Sequence, residues 1–247
     1  MKIFVIDKFK AIGIIFIIIS ISIFLFSCLG GFAKENILPI YSVETKEAAV
    51  SITFDCAWTA EDLPSIEKTL EEYNCPATFF VVGSWAEKYP DAVLSLFKKG
   101  HEVAGHSYNH AHYNSLSAEA LTADMQKCDA VIKDITGSNT KIFRAPYGEY
   151  NENVVRTATS SGRTLIQWDL DSLDWKDLTE SEMEARILPN VKNGSIILFH
   201  NGTKNTASAL PAILKALKDK GYSFKTVSDL MYHDNYYIDH AGRQFKN

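Results

Sequence analysis

His106 and His110 stand four residues apart, separated only by Ser107, Tyr108 and Asn109. On a turn of helix, residues at that spacing share a face, so both imidazoles could reach one divalent metal. Zinc, which takes nitrogen ligands readily, is the ion such a pair suits first. The pair alone is a weak signal, because histidines are common on surfaces. It gains weight from four further polar or charged clusters, each at the end of a separate apolar run and headed by Asp55, Arg144, Asp171 and His200.

Each cluster has a chemistry to offer and an ordinary alternative. Asp55 follows Thr53 and Phe54, and a carboxylate near a metal-bound water is a candidate general base. A helix cap or a surface carboxylate would look the same. Arg144 could hold Asp55 ionised and oriented through a bidentate pair, and the Pro146-Tyr147-Gly148 turn after it could aim a backbone N–H at an oxyanion. An ordinary turn beside a surface arginine is the alternative. Asp169, Asp171 and Asp174 lie between Trp168 and Trp175, so one acid could orient a histidine and keep it protonated as a general acid. The tryptophans could pack on a sugar face or an acetyl methyl, or simply be core. His200 follows Leu198 and Phe199; a lone histidine at a strand end is as readily structural as catalytic.

The elements that must position these residues alternate between apolar strand-like runs and amphipathic helical runs. Strands are predicted over 49–54, 77–82, 102–105, 142–143, 164–168, 195–199 and 223–226, where β-branched and aromatic residues gather. Helices are predicted over 62–73, 91–99, 117–136, 151–161, 179–190 and 207–220, with a last turn over 227–232. Pro64 suits a first turn, Ser117 an N-cap, and Gly100, Gly137 and Gly221 suit helix ends. Alternation of this kind means βαβ units and a parallel sheet. About seven such units in one domain predict a distorted (β/α) barrel, closed or nearly so, of the α/β class. In barrels of this kind active sites form at the C-terminal ends of strands, where Asp55, His106, Arg144, Asp171 and His200 all fall.

A chain of 247 residues with net charge −5 can hold one sizeable domain and a membrane segment, and it carries no basic patch for nucleic acid. Residues 11–29 form an almost unbroken aliphatic run preceded by Lys2, Lys8 and Lys10. We read residues 1–33 as a cytoplasmic stub and membrane anchor that leaves the rest outside the membrane. A cleaved signal peptide ending near Gly31-Phe32-Ala33, and hence a secreted protein, is the alternative. Residues 34–46 then form a linker, 47–232 the barrel, and 233–247 a tail with no periodicity. The four cysteines make no disulfide framework: Cys28 lies in the apolar run, Cys56 and Cys75 at opposite ends of neighbouring strands, and Cys128 on a helical stripe with Leu121, Met125, Ile132 and Ile135.

TFD at 53–55, HSYNH at 106–110, RAPYG at 144–148, DSLDW at 171–175 and LFH at 198–200 occur in that order. Together they resemble the five motifs of polysaccharide deacetylases, the carbohydrate esterases that include chitin and peptidoglycan deacetylases. The Asp-Cys-Ala-Trp form of the first motif and the N-terminal run resemble most the sporulation-associated, membrane-anchored branch. The resemblance implies roles. Asp55 would be the catalytic base, and His106 and His110 would bind a divalent metal, zinc first. Arg144 would orient Asp55, and the Tyr147 N–H would bind the oxyanion. Asp174 would tune His200 as general acid, with Trp175 and Leu198 lining the acetyl pocket; Asp171 carries no defined role. The substrate would be an N-acetylated cell-wall or spore glycan. A non-catalytic glycan-binding or scaffold protein, or an ester deacylase, would carry similar residues. One departure stands out: the family usually has a second aspartate after the base as third metal ligand, and this chain has Cys56. The site is then either Cys-His-His or held by two histidines alone.

Overall fold

The computed structural model describes residues 38–138 and 141–247. The apolar run over 11–29, the first residues of the expected linker and Cys28 lie outside the described residues. Among the described residues, no helix is long and apolar enough to cross a membrane.

The chain begins with β1 (Ser42–Val43) and β2 (Ala49–Cys56), then α1 (Leu63–Glu72) with Pro64 in its first turn. β3 (Thr78–Val81), α2 (Gly83–Lys88), α3 (Pro90–Lys98) and β4 (Glu102–Gly105) follow. α4 (Ala118–Thr136) starts where the Ser117 hydroxyl accepts from the Ala120 N–H and stops at Gly137, whose φ is +74°. Next come β5 (Ile142–Phe143), α5 (Glu152–Ser160), β6 (Thr164–Leu165) and β7 (Leu170–Asp171). α6 (Glu180–Ile187) opens with a capping box of Thr179 and Glu182. β8 (Ile196–His200), α7 (Thr206–Asp219), β9 (Ser223–Phe224) and α8 (Val227–Leu230) complete the unit, and β10 (Tyr236–Ile238) and β11 (Arg243–Lys246) end the chain.

The main sheet has the order β6-β5-β4-β3-β2-β8-β7, with β9 also on β2, and every pairing in it is parallel. It is a curved, part-open version of the expected barrel. The opening lies between β6 and β7, and it corrects the single strand expected over 164–168. The chain leaves the sheet after Leu165 and rejoins it at Leu170 on the far edge, with no helix between. Asp169 stitches the far side, its carboxylate accepting from the Ser195 hydroxyl at 3.0 Å and the Ile196 N–H at 2.8 Å.

Strand alternation sorts the core into two faces. Val50, Ile52, Phe54, Phe79, Val81, Ile197 and Phe199 pack outward against the helices. Ala49, Phe80, Ala104, Ile142, Ile166 and Ile196 fill the interior. Small polar residues also enter that interior, Ser51 and Thr53 along β2 and Thr78 at the start of β3, while the charged Asp55, Arg144 and His200 stand at the C-terminal strand ends.

Three expectations need correction. Residues 40–43 are not linker: Ile40 is fully buried and bridges Ile166, and Ser42–Val43 pairs with β11. The unassigned tail is the β10–β11 hairpin, which forms a small second sheet with β1. The His106 to His110 segment is no helical turn; it is a loop in which Ser107 and His110 have φ of +68° and +55°.

Candidate active site

The C-terminal strand ends surround a cleft of about 390 Å³ that Asp55, His106, His110, Asp171, Leu198 and His200 line together. Tyr147 and Trp175 stand on its rim, while Arg144 and Asp174 lie fully buried behind it.

Asp55 is the inward-facing residue next to the end of β2, in register with His200 on β8. Its Oδ1 accepts from Arg144 Nη1 at 2.8 Å, and its Oδ2 stands 3.4 Å from His106 Nε2. The contact with Arg144 is through one nitrogen and not the bidentate pair expected. The guanidinium is shared three ways: Nη1 also donates to Thr53 Oγ1 at 2.9 Å and Nη2 to the Gln167 carbonyl at 2.9 Å. Its plane stacks over the Phe80 ring at 4.1 Å, so arginine is sandwiched as lysine could not be. The Gln167 carbonyl comes from the stretch between β6 and β7, which gives that break in the sheet a role. Burial pushes the Asp55 carboxyl up, but the charges of His106 and Arg144 outweigh it and hold it below its ordinary value. Burial drives His106 itself toward the neutral form, so Arg144 is the charge that persists at neutral pH.

His106 leaves β4 with its imidazole fully inside. Its Nδ1–H donates to the Arg144 carbonyl at 2.9 Å, which assigns the tautomer and leaves the Nε2 lone pair facing Asp55. Two acceptors thus face one another with no proton between them, which is the environment a cation fits. His110 is the second nitrogen: its ring lies edge-on to His106 at 5.1 Å, and burial and then His106 push its pKa down to about 4. The loop between them is clamped by groups that sequence reasoning missed. The Gly83 and Ser84 amides donate to the Ser107 and Tyr108 carbonyls at 2.9 Å, and Asp124 accepts from the Tyr108 N–H at 2.8 Å. Gly83 is required: a Cβ there would sit 2.7 Å from Tyr108 Cδ2.

Cys56, by strand alternation, points away from the cleft. It is fully buried among the outward core residues, and burial, with Asp55 and Asp62 nearby, raises its thiol well above the ordinary value. It is a packed thiol, not a thiolate beside the histidines. Among the described residues, no group of three or more His, Cys, Asp or Glu side chains clusters in a way that could hold a metal. The nitrogen donors that a divalent ion would meet in this cleft are His106 and His110, beside Asp55 Oδ2.

The opposite wall is built on Asp174, which sits on a short turn between Leu173 and Asp177, both with positive φ. Its carboxylate accepts four hydrogen bonds: from His200 Nδ1 at 2.7 Å, the Trp175 N–H at 2.9 Å, the His200 N–H at 2.6 Å and Thr206 Oγ1 at 2.6 Å. Burial alone would lower the His200 pKa; the hydrogen bond and charge of Asp174 reverse this and raise it. Thr206, at the start of α7, had no signal in the sequence. Asp171 faces the cleft with Oδ1 committed to the Leu173 N–H at 2.8 Å, and burial raises its pKa. Tyr147 has φ +60°, with turns closing on either side of it through Gly148 N–H to Ala145 O and Glu149 N–H to Pro146 O. Its ring is stacked on His112 at 4.3 Å.

Known proteins resemble this chain in sequence and fold. The family model for polysaccharide deacetylases matches residues 42–166. An uncharacterized protein, YlxY of Bacillus subtilis, is 31% identical over 193 residues, and the match covers 78% of this chain and 60% of that one. A peptidoglycan-N-acetylglucosamine deacetylase of Bacillus cereus is 31% identical over 194 residues, covering 77% of this chain and 70% of its own. Among solved structures, wild-type BA3943 of Bacillus anthracis, described as a CE4 family pseudoenzyme, superposes with a TM-score of 0.76 at 29% identity, covering 79% of this chain and 69% of that one. A mutant of BA3943 described as having restored enzymatic activity superposes with the same TM-score at 30% identity, covering 79% and 71%. With half the chain matched by the family model, and the ordered motifs converging on one cleft, this chain belongs to the polysaccharide deacetylase family of hydrolases.

Proposed function

We propose that the protein hydrolyses the acetamide of an N-acetylated glycan of the cell wall or spore envelope. The observation that carries this reading is the pair of oppositely tuned proton-transfer groups facing one cleft. Asp55 is held as a carboxylate and His200 is biased toward the imidazolium, as a base and an acid acting on the same bond require. His106 and His110 would hold a divalent ion, zinc first. When bound, such an ion supplies Lewis acidity and a more acidic water. Asp55 takes the proton of the attacking water, and Arg144 keeps the resulting carboxylic acid oriented. The Tyr147 N–H donates to the oxygen that gains charge. His200, with Asp174 behind it, gives its proton to the departing amine nitrogen, and acetate is released. Trp175 and Leu198 flank the acetyl methyl.

A second reading has one observation behind it. With Cys56 turned into the core, two protein nitrogens remain where the family has three ligands, and a glycan-binding protein without turnover would look the same. Acetate release from peptidoglycan and from chitooligosaccharides, measured on the full chain with and without added zinc, separates the two. Release that requires zinc is the expected result. Binding without any release at saturating zinc would overturn hydrolysis in favour of the second reading, and release from aryl or sugar O-acetates alone would point to an ester deacylase. We further infer that residues 11–29 anchor the domain on the outer side of a membrane. A mature protein whose N-terminus lies near Lys34 would overturn the anchor.

A further inference from the structure

Trp58 is a large apolar side chain that the fold leaves 50% exposed, two residues after the fully buried end of β2. Its setting is not that of a loose surface residue. The turn at Asn201 and Gly202 is pressed against it: the Asn201 side-chain amide donates to the Thr59 carbonyl, and the Gly202 N–H donates to Asp62 Oδ2 at 2.7 Å. A Cβ on Gly202 would lie 3.1 Å from Trp58 Cβ and 3.0 Å from Thr59 Cγ2, at a residue whose φ is +70°. Glycine at this left-handed position lets the turn approach closely without strain. The turn is also the one that carries His200 into the cleft. The indole and the imidazole therefore share one rigid mount, with ring centroids 5.4 Å apart and planes at 47°. Trp175, the other exposed tryptophan of the cleft, carries the Lys176 ammonium 4.8 Å over its face.

We propose that Trp58 is the platform on which the pyranose ring of the reacting N-acetylhexosamine packs. The proposal rests on the deacetylase reading for one point, that His200 protonates the nitrogen borne by the sugar ring. That ring must then stand within a bond or two of His200, and the broad apolar surface mounted beside His200 is Trp58. A pyranose presents a face of C–H groups made electron-poor by the neighbouring oxygens. Such a face packs on the electron-rich face of an indole, while its hydroxyl rim stays in water. The platform selects for a saturated sugar ring and against acetylated substrates without one. Trp58 touches the substrate and not the reacting bond, so it is a specificity-determining residue.

The test is calorimetric titration of the full chain with chitotetraose in an Asp55→Asn background, which blocks turnover. Trp58→Ala is expected to weaken binding about tenfold or more, and Trp58→Phe, which keeps an aromatic face, to recover to within about threefold of the parent. Phe97→Ala serves as control and is expected to bind as the parent does, because Phe97 lies by the N-terminal ends of β4 and β5, away from the cleft. Equal affinity in Trp58→Ala and the parent, no recovery in Trp58→Phe, or a parent that does not bind chitotetraose would each overturn the proposal. Tight binding that depends on Trp58, combined with no acetate release by the unsubstituted chain, would overturn the deacetylase reading and leave the platform standing.

Discussion

The two walls of the cleft are built differently. On the wall of Asp55 and His200, the two groups proposed to transfer protons are both tied to buried partners. Arg144 spends its hydrogen bonds on Asp55, Thr53 and Gln167, and Asp174 has both carboxylate oxygens doubly engaged. On the wall of His106 and His110, only the first imidazole is tied, through the Arg144 carbonyl. His110 sits on a left-handed residue of a loop, and the position where the family places a third ligand is occupied by a thiol facing the core. The difference teaches that pre-organisation for proton transfer and for ion binding are separable in this fold. The groups proposed for proton transfer are set by strands and a buried arginine, and the imidazoles proposed to hold an ion by the end of β4 and the loop after it.

Substitutions can break that comparison in order of expected effect. Asp55→Asn removes the base while leaving both imidazoles in place, and activity on glycan should fall by about 10²–10⁴-fold. Zinc retention, measured by metal analysis after gel filtration, should not fall with it. His106→Ala should lose zinc and activity together. Zinc loss in Asp55→Asn as large as in His106→Ala would mean the two walls are one unit.

Asp174→Asn tests the acid side. Because Asp174 raises the His200 pKa, the protonated acid is present below that pKa and lost as pH rises through it. Removing the charge should lower the maximal rate by about a hundredfold and move the alkaline limb of the rate profile to lower pH. The acid limb, governed by Asp55 with its depressed pKa, should stay where it is. An alkaline limb that does not move would show that another group donates the proton.

The smallest effect is expected at Cys56. Cys56→Ala should leave zinc affinity unchanged and cost about 1 kcal/mol of stability from lost packing, read as a shift in a thermal melt. Sulfur in the zinc shell by X-ray absorption, or zinc loss in this variant, would show that the chain turns Cys56 inward when metal binds.

Much of this was legible in the sequence because its signals are local. Ser117, Gly137 and Pro64 mark helix ends by their own chemistry, and β-branched runs mark β2, β3 and β8. The strand-end placement of Asp55, His106, Arg144 and His200 needed only the alternation of strands and helices. What escaped depends on distant partners. Trp168 extends the apolar run of β6, yet the chain turns away after Leu165 because the Gln167 carbonyl faces the Arg144 guanidinium. The C-terminal hairpin has its parallel partner in Ser42–Val43, at the other end of the domain. The histidine loop departs from a helical turn because the groups that clamp it, Gly83, Ser84 and Asp124, belong to α2 and α4 and carry no motif.

The pairing of β2 with β8 has a consequence for biogenesis. The Thr53 hydroxyl reaches the Ile197 carbonyl across 144 positions, and Asp55 meets Arg144 across 89. Closing loops of that length is slow relative to forming helices. The Asp55–Arg144 pair therefore closes the shorter loop, and the β2–β8 pairing that sets His200 beside Asp55 closes the longer one. Until residues 196–200 dock, Asp55 and His200 do not face one another. The proposed base and acid are thus brought face to face by the longer of these two closures.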